Sequence, residues 1–152
     1  MIATINFSTR RRRQKGGAVI EMALLGPILI LLTAGAIDIA RVMYTGMEAA
    51  TAARAGVQYG AQSTETSTDY AGMQTTAINA APNVSGLTAT ASKICTCSTI
   101  GAGTVACNAA CGSGSLKAYV TVTSRIAFRT VLPYPGVPSS IPVKQTVWMR
   151  VQ

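Results

Sequence analysis

The apolar run from Ala18 to Ala40 constrains this chain most, and its only charged side chains are Glu21 and Asp38. At about 1.5 Å rise per residue, a helix over this run reaches about 35 Å, enough to cross a hydrocarbon core of about 30 Å with some tilt. Arg10, Arg11, Arg12, Arg13 and Lys15 stand directly before it. A cationic flank on one side of a single apolar helix sets its orientation, so residues 1–16 are predicted to stay in the cytoplasm and everything past Arg41 to lie outside. The predicted organisation is a basic leader over 1–16, a transmembrane helix over 17–41, a stalk helix over 42–62 and an extracytoplasmic head over 63–152. Glu21 is the anomaly. A carboxylate in such a run costs from roughly 1 kcal/mol near the headgroups to about 3 at the bilayer centre. It therefore calls for a cationic partner.

Of the 152 residues, leader, anchor and stalk take about 60, which leaves roughly 90 for one small head with a modest core. The formal net charge is +8, but five of the 13 basic residues lie in the leader. The rest of the chain carries about +3, so the basic character describes the leader. A basic cluster abutting an apolar helix is ordinary topology chemistry, which makes it the weaker candidate for binding nucleic acid. Thr9-Arg10-Arg11 has a twin-arginine pair but lacks the apolar residues expected just after it. Two other readings compete for the apolar run. One is a secretory signal peptide cleaved after Ala36, at Ala34-Gly35-Ala36. The other is a static anchor whose Glu21 snorkels to the headgroups. The charge in the run and the helical pattern beyond Ala36 weigh against the signal peptide. Pro27 cannot donate to the carbonyl of Ala23, and such a break in a bilayer needs a neighbouring helix or water to compensate it, which points to helix packing.

Lys15-Gly16-Gly17-Ala18-Val19-Ile20-Glu21 puts a glutamate five residues after Gly16, directly behind the basic leader. This resembles the processing site of type IV pilin-like proteins, in which a membrane peptidase cuts after glycine and glutamate becomes the fifth mature residue. The resemblance implies cleavage between Gly16 and Gly17. The new α-ammonium on Gly17, with a pKa near 8 by the usual value of about 7.7–8.0, would then meet Glu21 of a neighbouring subunit and set the axial register between subunits.

From Asp38 to Gln62 the pattern stays helical. Asp38 and Arg41 are spaced to pair on one face. Val42, Gly46, Ala49, Ala53, Gly56 and Gly60 make a stripe of mostly small residues that allows close helix approach, although an alanine-rich helix places small residues on every face. Either the head or another subunit is available to cover it. The order of basic leader, Gly16, Val19-Ile20-Glu21-Met22-Ala23-Leu24, Pro27, Asp38-Ile39-Ala40-Arg41 and Ala52-Ala53-Arg54-Ala55-Gly56 resembles the TadE family. These are minor pilins or pseudopilins of tight-adherence (Flp/Tad) pilus systems. The likeness runs from about Lys15 to Ala61, with Met22 where an aromatic is usual and Ala55 where glutamate is frequent. It implies processing by the prepilin peptidase, with other pilin subunits and the inner-membrane assembly machinery as partners. It also implies membrane lipid around the helix before assembly, and a final place in an extracellular pilus or at the cell surface, in adherence.

Ser63 to Asp69 reads as a polar linker. Tyr70 to Ala81 reads as a short helix with Ala71, Thr75, Ile78 and Ala81 or Pro82 near one face, stopped by Pro82 and Asn83. Strand alternation follows: Leu87, Ala89 and Ala91; then the even positions from Leu116 to Phe128, with a lapse at Ser124; then Val143, Val147, Met149 and Val151. Pro133, Pro135, Pro138 and Pro142 predict an irregular loop before the third strand. One-sided strands bury their apolar face best as a small antiparallel sheet on the stalk helix, an α+β pilin-like head.

Cys95, Cys97, Cys107 and Cys111 fall between the first two strands. An even number in a small exported domain predicts two disulfides. Of three pairings, the nested one, Cys95 with Cys111 and Cys97 with Cys107, is favoured because strands entering and leaving a hairpin bring the outer pair together. A four-thiolate zinc site is the rival, and no two cysteines are separated by two residues to support it. The stapled loop is also a candidate recognition surface, so a membrane-anchored or secreted adhesin is the alternative function; no ligand is named by its residues. Asn83-Val84-Ser85 matches a glycosylation sequon by pattern. The chain has no histidine and only five acidic side chains, with no nucleophile elbow, phosphate loop or metal constellation, so neither catalysis nor a cofactor is expected.

Overall fold

The computed structural model describes residues 16–101, 103–112, 114–132 and 136–151. The basic cluster from Arg10 to Lys15, and Pro133 and Pro135 of the predicted loop, lie outside the described residues. Two compact units divide the chain, one ending at Ala36 and the other beginning at Ile37.

The first unit is helical from Gly17, where α1 (Gly17–Gly60) begins. Val19, Leu24, Ile30 and Leu32 are each about two thirds exposed. Burying one such side chain is worth roughly 1.5–3 kcal/mol, so a surface of this kind is stable only against lipid or other helices. The helix is long and apolar enough to cross a membrane. Its one hydroxyl in this part, Thr33 Oγ1, donates to the Leu29 carbonyl at 2.7 Å and so needs no water.

The second unit has two layers. A three-stranded antiparallel sheet, β1 (Thr88–Thr96), β2 (Lys117–Arg129) and β3 (Ser140–Arg150), is ordered β1-β2-β3. Helices cover one face: the rest of α1 and a short α2 (Tyr70–Asn79). In β2 the alternation resolves as expected, with Val120, Val122, Ser124, Ile126 and Phe128 buried. Val120, Val122 and Ile126 join Ala52 and Val57 of α1, Ala61 just past its end, and Met73 and Ala77 of α2 in one core. Ser124, the apolar pattern's lapse, is fully buried and donates to the Ala49 carbonyl at 2.6 Å. That bond fastens the central strand to the helix and removes the cost of a buried hydroxyl.

Four local expectations are corrected. The buried residues of α2 are Met73 and Ala77, with Ala81 beyond its end buried as expected, whereas Ala71, Thr75 and Ile78 are exposed. Met73 decides this, because its side chain fills the space that Gly60 leaves: a Cβ on Gly60 would stand 2.5 Å from Met73 Sδ. The predicted linker is instead ordered around a 3-10 turn (Thr66–Thr68), with Ser67 buried and accepting from Lys93 Nζ at 2.8 Å. The third strand begins at Ser140 and includes Pro142, opposite Ala127. β3 is an edge strand, where a residue without an N–H is tolerated.

The disulfides are the fourth correction. They join Cys95 with Cys107 and Cys97 with Cys111, interlaced rather than nested. Cys95 pairs with Ala118 of β2 on one side and with Val105 on the other, where Val105 N donates to the Cys95 carbonyl at 2.8 Å. The loop thus first runs beside the free edge of β1, which brings Cys107 to Cys95. It then returns toward Lys117, opposite Thr96, and Cys111 arrives beside the strand end at Cys97. All four sulfurs are committed to these bridges.

Candidate functional site on the long helix

At its start, α1 places the residues singled out for processing and register in the open. The Gly16 carbonyl accepts from Ile20 N at 3.3 Å, and a Cβ on Gly16 or Gly17 would meet nothing within 4 Å. Glu21 lies one turn further on, exposed and without an ion-pair partner among the described residues. Pro27 is inside the helix and exposed.

In the second unit the stripe of small residues divides into two roles. Ala49, Ala53 and Gly56 are buried. At Gly56 the helix runs so close to the head that a Cβ would stand 2.9 Å from the Met73 carbonyl oxygen, 3.1 Å from Val122 Cγ1 and 3.2 Å from Ala77 Cβ. These positions therefore pack the helix against its own head. Gly46 is half-buried with no atom within 4 Å of an added Cβ. On another face, Ile39, Met43 and Met47 recur at four-residue intervals and are about 60% exposed, so an apolar ridge continues beyond Ala40.

Asp38 and Arg41 do more than pair with each other. Asp38 is buried, and its carboxylate accepts from Arg41 Nη1 at 3.0 Å and from Val131 N at 3.1 and 3.2 Å. The Arg41 guanidinium also sits 5.3 Å from the ring centroid of Phe128, a cation–π distance. The end of β2 is thereby tied to the helix by a charged acceptor, a backbone donor and an aromatic face. The i, i+3 pair was readable from spacing. Val131 and Phe128 were not, since a backbone donor 93 residues away leaves no local signal.

A second tie lies at the far end of α1. Tyr59 donates its hydroxyl to Asp69 Oδ2 at 2.7 Å, while Asp69 Oδ1 caps α2 by accepting from Gly72 N at 2.9 Å. The bond from Gly72 N, and next the one from Tyr59, hold the Asp69 carboxyl below its usual range, against a smaller opposing effect of desolvation. The same carboxylate pushes the Tyr59 phenol up. Asp69 as a cap carries a sequence signal, a short acidic side chain just before a helical pattern; its partner Tyr59 does not. From Gly103 to Ala110, the described part of the Cys-rich loop is mostly exposed.

A membrane-length apolar helix joined to a disulfide-bonded head of one small antiparallel sheet defines an α+β protein of pilin-like fold. Residues 16–58 match the family model of TadE, TadE-like protein, the family that the order of motifs resembles. The matched stretch is most of α1, and the association it carries is with a Tad pilus. No curated protein and no solved structure matches the chain.

Proposed function

We propose that this protein is a structural pilin-like subunit, cleaved after Gly16, whose helix leaves the bilayer and takes a place in, or primes, a Tad-type pilus. In this reading residues 1–16 are a cytoplasmic leader, 17–41 span the membrane, 42–62 form a stalk and 63–152 the extracytoplasmic head. One observation carries it: α1 starts at Gly17, the first residue left after that cut, and carries exposed large apolar side chains from Val19 to Met47. Lipid covers such a surface before assembly, and the helices of other subunits cover it afterwards. Glu21 then finds the Gly17 ammonium of a neighbouring subunit, and the pair fixes the axial register, because a carboxylate left alone among apolar side chains penalises every other alignment.

Sequencing the mature N-terminus of protein recovered from filaments tests the cut. Gly17 is the expected first residue; Ile37 would mean a secreted protein and Met1 a static anchor. Glu21→Ala is expected to leave expression and membrane insertion intact while blocking incorporation into filaments. Normal incorporation of that variant would overturn the register role.

A further inference from the structure

All acidic side chains of the chain occur at or before Asp69, and the sheet region carries only cations. The register sorts them. Arg125 and Arg129 of β2 and Lys144 and Arg150 of β3 project from the sheet face opposite the helices and are exposed. Arg125 and Lys144 are direct cross-strand partners. Like charges directly opposite each other are destabilising, and none of these four has an acidic partner among the described residues. Further along the same face, Trp148 is 51% exposed and braced edge-on by Tyr119, with ring centroids 5.9 Å apart. Between the cations and the aromatics lies a row of hydroxyls, Thr90, Thr123 and Thr146, the last two sharing a hydrogen bond at 2.9 Å.

We propose that this open sheet face binds a linear anionic polysaccharide, one carrying carboxylates on sugar rings. The opposed Arg125–Lys144 pair holds a carboxylate that relieves its own repulsion. Trp148 offers a flat apolar face to a sugar ring, and the threonine hydroxyls, each both donor and acceptor, match sugar hydroxyls. At about 3.4 Å per residue, Arg129 lies about 14 Å from the pair on one side and Arg150 about 20 Å on the other. That spacing lets each cation meet a separate carboxylate along such a polymer. It is sparse for duplex nucleic acid, which carries one charge per ~1.7 Å. The inference concerns the head alone and holds whether the chain is a filament subunit or an anchored protein.

The test uses the full chain in nonionic detergent, with alginate as probe and neutral dextran, duplex DNA and anionic lipid vesicles as competitors. Alginate is expected to bind, to weaken with added NaCl, and to lose at least tenfold in affinity in the Arg125→Gln/Lys144→Gln variant and in Trp148→Ala. Arg54→Gln, which removes one positive charge at an exposed helix position, is expected to bind as the parent does. The double variant should also melt at or above the parent temperature, because it removes an opposed like-charge pair, so a loss of binding cannot be a loss of folding. Undiminished alginate binding by the double variant overturns the proposal. So does binding of DNA or vesicles as tight as that of alginate.

Discussion

A single carboxylate, Asp38, shows how one residue can serve both an isolated helix and a packed molecule. On the helix it is one half of an i, i+3 pair, worth a few tenths of a kcal/mol. In the folded head it is buried and also accepts from Val131 N, so removing it leaves a backbone donor without a partner. Asp38→Ala is expected to cost about 1–3 kcal/mol in denaturant unfolding, and Asn, which keeps an acceptor, clearly less. Asp69 contributes to the acid limb. Its folded pKa is depressed by Gly72 N–H and the Tyr59 hydroxyl, so its contribution is complete above the ordinary carboxylate range near 4 and fades as pH falls through the folded value. Asp69→Asn should flatten the decline of melting temperature below about pH 4, by the usual carboxylate values, and lower the melting temperature at neutral pH.

Among the elements, α1 carries two kinds of glycine that sequence alone does not distinguish. Gly56 sits where the helix meets backbone of α2, and Gly46 where nothing is near. Gly56→Val is expected to destabilise the head by about 1–3 kcal/mol or more through overpacking. Gly46→Ala should instead stabilise it by roughly 0.5–1 kcal/mol through helix propensity. Paired thermal melts of the two variants check both signs. The loop between β1 and β2 has a comparable device in its bridges, which close segments of 12 and 14 residues. Loops of about this length correspond to roughly 3 kcal/mol each in the chain-entropy account. Cys97→Ser/Cys111→Ser should lower the melting temperature accordingly, and peptide mapping of the parent under non-reducing conditions should return Cys95–Cys107 and Cys97–Cys111.

For the whole molecule, the chain divides its apolar residues between two solvents. Val120, Val122, Met73 and Val57 are fully buried in the head. The exposed apolar side chains between Val19 and Met47 are of the kind that lipid or other helices cover. If Gly46 also meets a neighbouring subunit, Gly46→Ala gains head stability while losing filament incorporation. Glu21→Ala, by contrast, is expected to lose incorporation with the head's melting temperature unchanged, which separates assembly from folding in one pair of measurements.

The long helix, the three strands, the α2 segment and the Asp38–Arg41 pair were all legible in the sequence. Each rests on a local period, 3.6 or two, or on a spacing that a helix converts directly into proximity. The partner of Ser124, the face of α2, the interlaced disulfides and the cationic pair of Arg125 with Lys144 were not. Each depends on which distant segment lies opposite: Ala49 for Ser124, Gly60 for Met73, Val105 for Cys95, β3 for β2. Local periodicity specifies which side of an element is apolar. The partner that meets that side, and the register at which it does so, are chosen by the packing of the whole chain.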